Sequence, residues 1–211
     1  MLKQISLLIL CAVAIVLFAT PVHACTSAVV SGKVTLDGRP LLWKNRDTDF
    51  MRNHVDYVKG ERYDFIAVVN SANAYLKEAW MGTNSAGFAL MNTQSYNLVD
   101  VKGDEERGAA NGRVIYRALE VCATVEDFCH FLDTISKPSD IEANFGVIDA
   151  QGGAAMFEVD YYKYVMYDAN NPKDAPYGYI ARTNFSFAGK VNEGAGYVRY
   201  MEAVSYTHLR A

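Results

Sequence analysis

Cys25 is the residue whose place in the chain most clearly suggests chemistry. It follows Val22 and Ala24, the small residues that signal peptidase requires just before its cut. Cleavage after Ala24 would leave a cysteine with a free α-amine, and the pKa of such an amine is about 7.7–8.0. Part of the amine is therefore unprotonated at neutral pH and can accept the proton of the thiol. A cysteine in this position carries its own base, so it needs no histidine partner.

The preceding segment, residues 1–24, is predicted to be a secretory signal peptide. Lys3 supplies the positive start, residues 5–19 form an almost uninterrupted apolar run, and Pro21 ends any helix before the cleavage site. The apolar run is shorter than the roughly 20 residues that a membrane-spanning helix requires. We therefore expect a secreted or periplasmic bacterial protein that keeps no membrane span after cleavage.

Two other interpretations of Cys25 stay open. In a surface lipoprotein the cysteine after the leader is acylated, which would make this chain a non-catalytic binding module. That signal requires a small residue just before Ala24, whereas this chain has His23. In the other interpretation, the peptidase merely cuts before an ordinary cysteine. A free α-amine on Cys25 permits catalysis, whereas an acylated one has lost its base.

The composition is that of one globular domain. The chain of 211 residues is 51% hydrophobic, and residues 25–204 contain no linker-like segment and no internal repeat. A formal net charge of −4 and the absence of any Lys/Arg cluster argue against nucleic acid as a partner. We expect no cofactor and no metal ion.

The cysteine content gives no disulfide framework. Cys11 leaves with the leader, so Cys25, Cys122 and Cys129 are what remain of the four cysteines. Cys122 and Cys129 either pair with each other or are small buried residues on neighbouring helical turns.

The order of the predicted elements is strands, two helices, strands and a last helix. The helices cover residues 112–122 and 124–135, and Thr124 with Asp127 is predicted to form a capping box at the start of the second. The last helix begins at about Gly196. This order indicates an α+β protein in layers with antiparallel sheets. The predicted strands are residues 25–32, 41–47, 62–70, 74–82, 88–95, 144–150, 154–160, 163–169 and 177–185.

Four motifs in a fixed order carry a resemblance to a known superfamily. "CTSAVV" at Cys25 is followed by the step Asn45-Arg46-Asp47, the hairpin "GTNSAGFALMNTQS" contains Asn92, "ARTNF" contains Asn184, and "GYVRYMEAV" contains Arg199. The chain thereby resembles the N-terminal-nucleophile cysteine amide hydrolases. This superfamily includes choloylglycine hydrolase, penicillin V acylase, acid ceramidase and the acyl-coenzyme A:6-aminopenicillanic acid acyltransferase family.

The resemblance implies a four-layer αββα sandwich and an enzyme that acts on linear, non-peptide amides of small molecules through an acyl-thioester. Cys25 would supply the nucleophile and the base, and Asp47 would hold the amine. Asn92 and Asn184 would donate hydrogen bonds to the amine or to the oxyanion, and Arg199 would brace the site electrostatically. The choice between hydrolase and acyltransferase stays open.

The basic residues of the second motif depart from the bile salt hydrolases, which have an arginine where this chain has Lys44. Side chains alternate between the two faces of a strand, so Lys44 shares a face with Arg46, and Asn45 shares the other with Asp47. Asn45 and Arg46 are expected to contact the substrate, while the choice between Lys44 and Arg46 as the basic group of the site stays open.

Simpler interpretations exist for several of these residues. Asn45 and Asp47 fit ordinary turn chemistry, and Asp47 with Asp49 is a weak hint of a calcium site. Asn92 and Asn184 fit exposed strand ends, and Asn184-Phe185-Ser186 is a glycosylation sequon that has meaning only in a eukaryotic secretory pathway.

The end of the chain, "SYTHLRA" at residues 205–211, breaks the apolar pattern of the last helix and resembles translated sequencing adaptor. We expect this tail to be non-native and the sandwich to be incomplete at its C-terminus, because members of the superfamily are usually longer.

Overall fold

Two antiparallel β-sheets form the centre of the structure, a computed structural model that describes residues 25–99 and 108–208. In the described part of the chain, a large sheet has the order β3-β4-β5-β6-β7-β8-β9 and a small sheet has the order β10-β1-β2. The strands are β1 (Thr26–Val30), β2 (Leu41–Asn45), β3 (Asn53–Val58), β4 (Phe65–Asn70), β5 (Met81–Asn84), β6 (Ala89–Gln94), β7 (Ala143–Ile148), β8 (Ala154–Val159), β9 (Tyr164–Asp168) and β10 (Tyr179–Arg182).

Two helices cross from β6 to β7 and cover one face of the large sheet. They are α1 (Asn111–Val121) and α2 (Val125–Thr134). The predicted capping box is present: the Thr124 hydroxyl accepts from the Asp127 N–H, and the Asp127 carboxylate accepts from the Thr124 N–H. The apolar faces of both helices pack on the large sheet and form the main core.

Phe128 on α2 lies at the centre of this core and has no exposed surface. Its ring meets those of Phe88, Phe131, Phe145 and Phe157 at centroid distances between 5.1 and 6.2 Å. It therefore connects the helix layer to β7, to β8 and to the residue just before β6 in the large sheet.

We predict that Phe128→Ala lowers the free energy of unfolding by about 3–5 kcal/mol, because the lost ring leaves a cavity that its neighbours fill only in part. Urea denaturation followed by far-UV circular dichroism measures this change. Tyr162→Ala is the matched control, since Tyr162 is 68% exposed, and should change the stability little. Equal losses for the two variants would contradict this account of the core.

The small sheet packs on the other face of the large sheet. Val29 of β1, Ile180 of β10, Met91 and Met156 are buried together between the sheets. Because side chains alternate, Thr26 lies on the outer face of β1, where its hydroxyl contacts Arg199. Arg199 belongs to α3 (Tyr197–His208), which therefore forms a fourth layer.

The layers thus run helix, sheet, sheet, helix, which confirms the predicted α+β class with antiparallel sheets. In the described ranges, none of the helices has both the length and the apolar composition needed to cross a bilayer. The predicted signal peptide, residues 1–24, lies outside the described residues, and so do residues 209–211 of the predicted non-native tail. The helix α3 continues past the point where the apolar pattern breaks, as far as the last described residue, His208.

One local prediction was wrong, and one strand was missed. The sequence predicts a strand over residues 74–82, but Ser71–Leu76 form a 3-10 helix and β5 begins only at Met81. Lys77 is the reason, because its φ of 55° takes the backbone out of the extended region. The strand β3 (Asn53–Val58) was not predicted.

The cysteines of the helix pair are free. Cys122 is buried, and burial raises the pKa of its thiol to about 12. Cys129 is half-buried with its Sγ 3.9 Å from the Met166 sulfur. Of the two interpretations left open, unpaired residues on the helix pair are the one that the structure supports.

Candidate active site

Cys25 stands at the start of β1 and faces a cavity of about 280 Å³. Its backbone nitrogen donates to the Asn184 Oδ1 at 2.9 Å, and its Sγ lies 3.7 Å from the carbonyl oxygen of Asp47. The other cavity residues are Lys44, Arg46, Asp47, Thr48, Asp49, Phe50, Trp80, Asn92, Gln94, Tyr96 and Asn184.

Arg199 ties the Cys25 backbone to Asn184. Its Nη1 donates to the Cys25 carbonyl oxygen and, at 3.1 Å, to the Thr26 hydroxyl. Its Nη2 donates to the Asn184 Oδ1 at 3.0 Å. The Asn184 Nδ2 in turn donates to the Gln94 carbonyl oxygen at 2.8 Å. Both ends of the Asn184 amide are therefore engaged, and its orientation is fixed.

A buried polar network holds the segment that carries Asn184. The Asn144 Nδ2 on β7 donates to the carbonyl oxygens of Thr183 and Phe185, which flank Asn184 on either side. The Ser186 hydroxyl donates to the Asn144 Oδ1 at 2.6 Å. Asn184 is only 1% exposed, so the folded protein does not present it as a glycosylation acceptor.

Asn92 on β6 enters the same cavity and is held by Lys44 on β2. The Lys44 Nζ donates to the Asn92 Oδ1 at 3.1 Å and to the Trp80 carbonyl oxygen at 3.0 Å. An ammonium group only donates hydrogen bonds, so the Asn92 atom that faces it must be the oxygen. The Asn92 Nδ2 makes no hydrogen bond to any residue that the structure describes, and it is free to donate to a molecule in the cavity.

The burial of Lys44 disfavours its charged form. Removal from water lowers the pKa of its ammonium group to about 8, the negative thiolate form of Cys25 opposes this shift, and the nearby positive charge of Arg46 adds to it. Lys44 is therefore an ionisable group of the cavity whose pKa lies well below that of a lysine in water.

Arg46 lies on the same side of the cavity, over the indole ring of Trp80 at 5.1 Å from its centroid. Its Nη2 donates to the Asn70 Oδ1 at 2.8 Å. The Arg46 Nη1 and the Trp80 Nε1 are buried and have no hydrogen-bond partner among the described residues. Burial also lowers the pKa of the Arg46 guanidinium.

The two residues on the other strand face behave differently from each other. Asp47 lines the cavity, and its contact with Cys25 is through the backbone carbonyl. Asn45 is exposed and does not line the cavity, because alternation along β2 places it opposite Lys44 and Arg46. Asp49 also lines the cavity, but no group of three or more His, Cys, Asp or Glu side chains gathers anywhere in residues 25–99 and 108–208.

Sequence reasoning missed several residues of the site: Thr48, Phe50, Trp80, Gln94 and Tyr96 line the cavity, and Asn70 holds Arg46 beside it. Gln94 could have been found, since it lies two positions after Asn92 on a strand and must share its face. Trp80 and Asn70 gave no signal, because their roles depend on how β4 and β5 pass beside β2. The arrangement brings together a thiol, a backbone nitrogen that donates to the Asn184 side chain, and an amide donor that faces the cavity. These groups can carry out acyl transfer.

Residues 35–201 match the family model of acyl-coenzyme A:6-aminopenicillanic acid acyl-transferase, which covers more than half of the chain. The chain belongs to this family. This membership places the chain in the superfamily of N-terminal-nucleophile hydrolases, as the sequence motifs predicted. No curated protein matched it in sequence.

Two solved structures of amide hydrolases share the fold of this chain. An N-acylethanolamine-hydrolyzing acid amidase ortholog from Caenorhabditis elegans has a TM-score of 0.57 at 14% identity, over 77% of this chain and 70% of that one. A mutant of conjugated bile acid hydrolase from Clostridium perfringens has a TM-score of 0.51 at 14% identity, over 87% of this chain and 57% of that one. The chain thus spans only part of each neighbour's length.

Proposed function

We propose that this protein is a secreted cysteine hydrolase or acyltransferase that acts on linear carbon–nitrogen amide bonds of small molecules. The observation that carries the proposal is the convergence of Asn184 and Arg199 on the backbone nitrogen and carbonyl of Cys25. A half-buried backbone N–H needs a hydrogen-bond partner in any protein, but here the partner is a side chain that is itself fixed at both ends. A cysteine whose nitrogen becomes the catalytic base requires such a fixed partner, because the amine must be held beside the thiol.

The reaction begins when the Cys25 thiol gives its proton to its own α-amine. The thiolate sulfur then forms a bond to the amide carbonyl carbon, and the π electrons of the C=O bond move to its oxygen. When the carbonyl re-forms, the C–N bond breaks and the leaving nitrogen takes the proton from the α-ammonium group. An acyl-thioester remains on Cys25. Water or an amine acceptor repeats the sequence in reverse order and restores the free thiol.

The side chains of the site have two roles: some hold the amine that acts as the base, and one stabilises the oxyanion. Asn184 has both ends of its amide engaged, so we assign it with Arg199 to holding the amine. Asn92 has a free Nδ2 in the cavity, so we assign it to the oxyanion. A single oxyanion donor contributes on the order of 3 kcal/mol in other enzymes. Asp47 lies beside the sulfur and would orient the amine after cleavage.

The location outside the cytoplasm follows from the same proposal, since the leader must be removed to free the amine. The substrate is a small N-acyl amide, and the balance between hydrolysis and acyl transfer depends on whether water or an amine reaches the thioester first.

The test compares the mature protein with a form that carries one extra methionine before Cys25. The extra peptide bond removes the base but leaves the thiol, so we predict that the extended protein loses turnover of chromogenic N-acyl amides. Intact mass must show that the methionine is retained and that the mature form begins at Cys25. Full activity of the uncleaved extended protein would contradict the proposal. A mature mass that includes a diacylglycerol group would support the lipoprotein interpretation instead.

A further inference from the structure

Lys44 and Asn92 form a pair whose hydrogen-bond pattern depends on one proton. The Lys44 ammonium has three N–H donors, and two of them are used by the Trp80 carbonyl oxygen and the Asn92 Oδ1. The Asn92 side chain is 4% exposed and enters the cavity from β6. While the lysine is charged, an Asn92 amide turned the other way would place two N–H donors against an ammonium group that cannot accept.

Loss of the proton removes this constraint. A neutral lysine amine has a lone pair and can accept a hydrogen bond from the Asn92 Nδ2. The amide can then rotate so that its oxygen faces the cavity. An oxygen in that place repels a developing oxyanion, whereas the Nδ2 stabilises one.

We propose that Lys44 is a positioning residue, which keeps the Asn92 Nδ2 directed at the oxyanion while it is protonated and releases the amide when it is not. This inference rests on the proposed function for its catalytic consequence. The orientation of the amide itself is a property of the folded protein and does not depend on turnover.

The pKa of Lys44, lowered to about 8 mainly by burial, places the transition within reach of ordinary assays. Below this pH the lysine is charged and the site is competent, and activity falls as the pH rises through about 8. A lysine in water would reach the same point only near pH 10.4. The ionisable groups that line the cavity with Lys44 are Cys25 on β1, Arg46 at the end of β2, Asp47 and Asp49 in the loop after it, and Tyr96 after β6.

Nuclear magnetic resonance of the purified protein tests the orientation without a substrate. The ¹³Cε shift of Lys44, assigned with Lys44→Arg, should titrate near pH 8, and the side-chain ¹⁵N shift of Asn92 should follow with the same midpoint. An Asn92 resonance that does not respond while Lys44 titrates would overturn the proposal, and so would a Lys44 midpoint above pH 10.

Kinetics test the consequence. Lys44→Arg stays charged, so the alkaline decline in its kcat should move to higher pH, where the proton concentration is at least tenfold lower. The control is Lys33→Arg, which changes an exposed lysine that contacts the Asn170 carbonyl oxygen and should keep the wild-type pH profile. Lys44→Met should lower kcat by roughly 10²-fold with little change in KM. In the background of Asn92→Ala the same change should have almost no further effect.

The two proposals fail in different ways. Coupled titration of Lys44 and Asn92 in a protein that turns over no amide would remove the proposed function and leave the positioning role intact. Full activity of Lys44→Met, or an alkaline decline that Lys44→Arg does not move, would remove the positioning role and leave the amidase.

Discussion

Cys25→Ala is expected to lower the turnover of N-acyl amides by roughly 10⁴-fold or more, because removal of an attacking nucleophile costs factors of this size in other covalent enzymes. Neither of the other thiols in the described ranges can take its place. Cys122 is buried with its pKa raised to about 12, and Cys129 lies on α2 outside the cavity. Initial rates with a chromogenic N-acyl amide measure the loss, and circular dichroism confirms that the variant is folded.

The matched controls replace the other thiols. Cys129→Ser removes a half-buried thiol on α2 and should leave the rate unchanged. Cys25→Ser keeps the α-amine and exchanges only sulfur for oxygen, so a small residual rate is compatible with the mechanism. If Cys25→Ala retains wild-type turnover, the nucleophile lies elsewhere and the proposed function is wrong.

Glu158→Gln is expected to be the most destabilising single polar change, with a loss of about 3–5 kcal/mol in the free energy of unfolding. Glu158 and Arg182 form a salt bridge of 2.6 Å in which the two side chains are 0% and 3% exposed. The carboxylate also accepts from the N–H groups of Phe187 and Ala188. Its loss leaves a guanidinium buried beside the aromatic rings of Tyr167 and Phe187 without an opposite charge.

Guanidinium chloride denaturation measures this effect, and two further variants serve as controls. Glu61→Gln breaks the exposed pair between Glu61 and Arg117, so the midpoint should hardly move. A double change of Glu158 and Arg182 to methionine removes both charges and should cost less than Glu158→Gln alone. A Glu158→Gln variant as stable as the wild type would show that Arg182 finds another partner or solvent.

The features that could be predicted from the sequence are those set by near neighbours in the chain. The capping box at Thr124 and Asp127 depends on a spacing of three residues, and α2 begins where it predicts. The strand β3 was missed because its polar residues, Asn53, His54 and Asp56, hide the alternation of Val55 and Tyr57. The pairing of β3 with β4 is what makes it a strand.

The site divides in the same way. Alternation along a strand was enough to place Lys44 and Arg46 on one face of β2, and both line the cavity. The contacts between side chains could not be read from the sequence. The hydrogen bond from Lys44 to Asn92 requires the small sheet to pack on the large one with a particular offset, and no local pattern encodes that offset. The roles expected for Asp47 and Arg199 stay predictions until their variants are measured.

The contact between the Cys25 nitrogen and Asn184 spans 159 positions of the chain. The entropy cost of closing a loop grows with its length, and folds dominated by such distant contacts form slowly. In the small sheet, the central strand β1 pairs with β2, which is nearby in sequence, and with β10, which is distant. All strands of the large sheet lie between β2 and β10 in the chain, so they are synthesised before β10. The contacts that hold Cys25 therefore depend on residues far along the chain, and a nascent chain cannot make them until residue 199 has been synthesised.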